Sequence, residues 1–95
     1  MNPNKVDRNR LNQLTDLPNI GPAMAKDLQL LGIAEVTQLI GRNPYDLYLA
    51  LCDITGVRHD PCVLDVLMSI TRFMAGEAPQ PWWAFTAERK RSFKI

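Results

Sequence analysis

The chain has no run of about 18 apolar residues, because charges and prolines break every hydrophobic stretch, and a membrane-spanning helix is excluded. With only 2 cysteines it cannot build the disulfide framework of a small secreted scaffold, so both are expected as free thiols in a reducing cytoplasm. Its start, Met1-Asn2-Pro3-Asn4-Lys5, lacks the apolar stretch of a signal peptide. Sustained period-two alternation, low-complexity tracts and a convincing internal repeat are all missing. So are a phosphate-cradling glycine loop, a nucleophile elbow and a carboxylate cluster, which argues that the protein is not an enzyme.

What is present is 95 residues, 46% hydrophobic and 22% charged, the proportions of one small globular domain. The net charge of +1 conceals an uneven distribution. Lys5, Arg8 and Arg10 against Asp7 give residues 1–10 a charge of +2. Arg89, Lys90, Arg91 and Lys94 against Glu88 give residues 88–95 a charge of +3. Residues 11–87 carry −4, from Lys26, Arg42, Arg58 and Arg72 against eight acids. The expected organisation is therefore a basic segment 1–10, a domain over 11–87 and a basic tail 88–95. Phosphate neutralisation supplies most non-specific affinity for nucleic acid, so an acidic middle predicts weak binding or binding that leans on the ends.

Helix punctuation is plentiful. Leu11, Leu14 and Leu17, three apart, predict a first helix over residues 7–15. Pro22 opens a second at N1, closed by Gly32, and a short third is expected over residues 34–40. Asn43-Pro44 and Asp60-Pro61 each put a capping side chain ahead of a proline, starting helices that end near Gly56 and Gly76. The latter is apolar around most of its circumference, as expected of the central core helix. After Pro79-Gln80-Pro81, the Trp82-Trp83 pair predicts one inward indole and one partly exposed, with Thr86 capping a last basic turn. The predicted fold is all-α, with five or six short helices in a single compact domain.

The segment from Leu14 to Leu28, centred on Asn19-Ile20-Gly21-Pro22-Ala23, resembles the helix-hairpin-helix motif of DNA repair and replication proteins. The resemblance implies that Ile20 plugs the space between two helices, Gly21 takes a positive φ, and Ala25 permits close approach. It also implies that backbone amides of the turn face a DNA phosphate; unpaired amides at a helix start do form anion sites. Asn19 replaces the usual first glycine and tolerates the left-handed region. Ala23 replaces a lysine common in DNA-binding members, leaving Lys26 as the nearest cation. Residues 17–33, Asn43-Pro44-Tyr45-Asp46-Leu47-Tyr48, Arg58-His59-Asp60-Pro61-Cys62 and Pro81-Trp82-Trp83 together resemble the bacterial "pathogenicity locus" family, some members of which carry the label mitomycin resistance protein. That implies a helix-hairpin-helix, SAM-like helical bundle, and a link to DNA damage or mitomycin resistance. Residues 17–33 are also similar to the C-terminal domain of TfoX-type competence regulators.

Two function classes follow. The first is non-sequence-specific DNA binding, with Asn19, Ile20, Gly21, Ala23 and Lys26 at the phosphate and Arg89, Lys90 and Arg91 adding attraction; Gly41-Arg42-Asn43-Pro44 sits where a degenerate second turn could lie. The second is a protein-interaction adaptor using Trp82, Trp83 and the acidic face, the hairpin being a plain helix connection. No residue cluster suits major-groove readout, so base specificity is not expected. Cys52, His59 and Cys62 fall within eleven positions, yet three ligands do not close a structural zinc site. They are expected as structural residues, with no metal and no cofactor. A low-pKa Cys62 in the first turn of its helix, near Arg58 and His59, is the redox alternative.

Overall fold

Helix α3, Cys62–Met74, runs through the centre of the molecule because its apolar residues leave almost no polar face. Leu64, Leu67, Met68, Ile70 and Phe73 are all fully buried along it. The computed structural model describes residues 1–95 and contains no strand. Against α3 pack α2 (Pro44–Thr55) and α4 (Thr86–Ser92), while α1 (Pro22–Leu30) packs on α2 and on the turn at Leu14–Asp16. Four 3-10 turns link them, at Pro3–Lys5, Leu14–Asp16, Val36–Leu39 and Trp82–Phe85. The radius of gyration, 12.3 Å, is that of one folded domain of this length. No helix is long and apolar enough to cross a membrane.

The X-Pro signals act as the sequence indicates. Asn43 Oδ1 accepts from the amides of Tyr45 (2.8 Å) and Asp46 (3.2 Å), and Pro44 follows at N1. Asp60 Oδ1 accepts from the Cys62 amide at 2.9 Å. Gly56 closes α2 in the left-handed region at φ 71°, a conformation that costs a residue with Cβ about 1–2 kcal/mol.

Two expected helices do not form, leaving four α-helices in place of five or six. Residues 7–13 are not helical, because side chains take the amides that a helix would pair. Asp7 Oδ1 accepts from Asn9 N (2.9 Å), and Asp16 Oδ2 accepts from Asn12 N and Gln13 N (2.8 and 3.0 Å). Arg8 holds the segment across the end of α3: its guanidinium donates to the carbonyls of Phe73 and Glu77, both at 2.7 Å, and lies 4.0 Å from the Phe73 ring centroid. The other shortfall, at 34–40, is a 3-10 turn in which Gln38 Oε1 accepts from Ala34 and Glu35 amides. Thr86 does not cap α4 either; its hydroxyl donates to Asp65 Oδ2 at 2.7 Å.

Candidate functional site

The turn before α1 depends on Asn19, not on Gly21. Asn19 adopts φ 66°, whereas Gly21 is extended at φ −97°, ψ −175°, which corrects the expectation that the glycine supplies the positive φ. The Asn19 side chain secures this conformation by donating to Ser69 Oγ (3.0 Å) and to the Gln80 carbonyl (2.8 Å). Ile20 is buried, as a plug between packed elements must be. The first arm of the expected hairpin is only the single turn Leu14–Asp16.

The amides of this turn divide into two sets. Asn19 N donates to the Met1 carbonyl at 2.7 Å and Ile20 N to the Leu17 carbonyl at 3.4 Å, so neither faces outward for a ligand. The Met1 ammonium donates to the carbonyls of Leu17 (2.9 Å) and Ile20 (2.8 Å), and burial pulls its pKa below the usual amine value. The amides of Gly21, Ala23 and Met24 have no acceptor in the chain, while Ala25 N begins the helical pairing by donating to Gly21 O. Gly21, Ala23 and Lys26 are exposed beside them.

A second copy of this geometry exists, which corrects the reading that the chain has no internal repeat. Residues 34–44 repeat 12–22: both contain a 3-10 turn with a reciprocal capping box, a positive φ (Asn19 at 66°, Gly41 at 76°) and a proline at N1. Sequence comparison misses it because few aligned positions are identical, chiefly Thr15/Thr37, Leu17/Leu39 and Pro22/Pro44. The copies differ where it matters chemically. Asn43 fills the start of α2 with its own side chain, whereas Gly21, at the matching place, leaves the α1 amides bare. Arg42 is exposed beside the filled turn.

The remaining basic residues are separated. Arg89 is buried, its Nε 3.3 Å from Asp65 Oδ1, so it is not on the surface where phosphate binding was expected. Lys90 and Arg91 are exposed on α4, and Phe93 stacks on Tyr45 at 5.0 Å.

Cys52, His59 and Cys62 do not converge, and no group of three metal-ligating side chains occurs. The His59 amide donates to Cys52 Sγ at 3.5 Å. Thr55 Oγ1 donates to Leu51 O and lies 2.9 Å from His59 Nε2, so it accepts from that ring nitrogen. Cys62 is not a low-pKa thiol: burial and then the Asp60 carboxylate push it up.

Trp82 packs against the core and Trp83 is 63% exposed, with the two rings edge-to-face at 5.6 Å. Both line an open cleft of about 600 Å³, together with the Asn19-Ile20-Gly21 turn, Met1 and Asn4. Sequence reasoning missed the pinning of Met1, the Asn19 bridge and this cleft, since nothing local signals contacts between the first, nineteenth and eightieth positions.

Over 78 residues, 82% of this chain and 74% of the relative, the sequence is 42% identical to "Mitomycin resistance protein McrB" of Streptomyces lavendulae. No solved structure matches it. A family described as "Pathogenicity locus" (Cdd1) matches residues 7–91, nearly the whole chain, and to that family the chain belongs.

Proposed function

We propose that the protein is a non-catalytic module that binds nucleic acid through its phosphate backbone, without base specificity. The observation that carries this is the bare start of α1: three neighbouring amides without acceptors, at the positive end of a helix dipole, one turn from exposed Lys26. The filled start of α2 supports the same reading by contrast, because Asn43 there occupies the amides that stay open at α1. Lys90 and Arg91 add longer-range attraction, and Arg89 drops out. The similarity to a protein named for mitomycin resistance links the module to that phenotype. One backbone site with few cations predicts a shallow salt dependence, a slope of about −0.9 for each of one or two phosphates.

Gly21→Asn tests the reading, since it would give α1 the cap that α2 has. A Cβ at Gly21 meets nothing within 4 Å and the backbone there is extended, so the variant folds. Addition of a short duplex at low salt is expected to shift the amides of Gly21, Ala23, Met24 and Lys26. Gly21→Ala keeps those shifts and Gly21→Asn removes them. Shifts confined to Lys90, Arg91 and Lys94, or no shifts, would overturn the site and favour the adaptor reading.

A further inference from the structure

Of the ten Asp and Glu residues in the chain, none lines the cleft of about 600 Å³ beside the tryptophans. The two other sizeable clefts mix signs, one with Lys5, Arg10, Asp7 and Asp16, the other with Arg42, Arg72 and Glu88. A site free of carboxylates in a domain whose middle carries −4 is complementary to an anion.

Part of its lining is aromatic. Trp83 leaves 63% of its surface to solvent, unusual for so large an apolar side chain, and half-buried Trp82 meets it edge-to-face. The lining also holds polar residues: Asn2, Asn4 and the turn ending in Gly21, whose amide is unpaired. The volume, about 600 Å³, lies in the range of small-ligand pockets, about 300–1,000 Å³. An exposed flat ring and polar groups without a carboxylate, in one cleft, match a base joined to a phosphate.

We propose that this cleft holds one unpaired nucleotide of single-stranded nucleic acid, its base against Trp83 and its phosphate toward Gly21. The proposal rests on the nucleic-acid reading above and narrows its ligand. A paired base in a duplex has both faces covered by its neighbours, so only an unpaired base offers a face to the indole.

Trp82 and Trp83 are the only tryptophans, so all indole emission comes from this cleft. Titration with a short oligothymidylate at low salt is expected to quench that emission saturably, with affinity about ten-fold above a blunt duplex of equal length. By anisotropy of a labelled strand, Trp83→Ala loses most of that ten-fold and Trp83→Phe keeps much of it. Trp83 is exposed, so neither variant endangers the core, and a melting curve confirms this. Unchanged emission, equal or tighter duplex binding, or wild-type affinity in Trp83→Ala would overturn the proposal. So would thymidine monophosphate binding as tightly as the strand, which would make the cleft a free-nucleotide site. Duplex-induced shifts at Gly21 to Lys26 without quenching would remove the stacked base alone; silence toward both nucleic acids would remove the backbone reading as well.

Discussion

Asn19 illustrates how much one residue carries. It combines a left-handed backbone at φ 66° with two side-chain bonds that tie the turn to Ser69 on α3 and to the Gln80 carbonyl ahead of the tryptophans. Substitution separates the two contributions. Asn19→Gly relieves the backbone but loses both bonds, and is expected to cost about 1–2 kcal/mol. Asn19→Ala loses the bonds and adds the left-handed penalty, about a further 1 kcal/mol. Urea denaturation of the pair measures the difference; equal losses would show that the backbone conformation carries no cost here. Asparagine at this position was legible as a residue able to sustain the turn. Its reach to Gln80 was not, because that contact spans 61 positions and no local pattern encodes it.

At the scale of elements, the helix starts were the most readable feature. Asn43-Pro44 and Asp60-Pro61 announce themselves because a cap and an N1 proline involve only adjacent atoms. Residues 7–15 misled for the same reason in reverse. The leucine spacing suits a helix, yet Asp7 and Asp16 compete for the local amides and Arg8 is drawn to the end of α3. The start of α3 also predicts a pH response. The Cys62 amide holds Asp60 below the usual carboxylate range, so its support of α3 is full at neutral pH and fades as acid titrates it at still lower pH. The same carboxylate, after burial, raises the Cys62 thiol, so less thiolate is present at any given pH. In a Cys52→Ala background, Cys62 is expected to react with a disulfide reagent at pH 8 several-fold more slowly than a cysteine in an unstructured peptide. Asp60→Asn keeps an acceptor for the amide and speeds the reaction. Labelling as fast as the peptide would show the thiol to be unshielded.

The whole molecule is closed by α4, which three polar contacts tie to α3: Thr86 to Asp65, Glu88 to Arg72 at 2.6 Å, and the buried Asp65–Arg89 pair. Asp65 is 1% exposed and receives the Thr86 hydroxyl, while Arg89 Nε approaches its other oxygen at 3.3 Å without an aligned hydrogen bond. Removing one partner leaves a charge buried without compensation, so Arg89→Met is expected to cost about 3 kcal/mol. Combining it with Asp65→Asn removes the stranded charge and recovers more than half of that loss. A double-mutant cycle by denaturation checks it; full additivity would show that the two groups do not interact. Because Arg89 points inward, the proposed phosphate contact does not use it.

The sequence by itself determined that the chain is all-helical, where α1, α2 and α3 begin, that α3 lies in the core, and that Ile20 is buried. Those features follow from caps, prolines and apolar periodicity, which act over a few neighbouring residues. Only the tertiary structure decided which of those groups a ligand could reach. It placed Arg89 against Asp65, pinned Met1 to the turn, left the Gly21, Ala23 and Met24 amides open and set Trp83 at the edge of a cleft free of carboxylates. Availability depends on what distant segments bring alongside a group, and burial by a partner many positions away leaves no trace in the residues next to it.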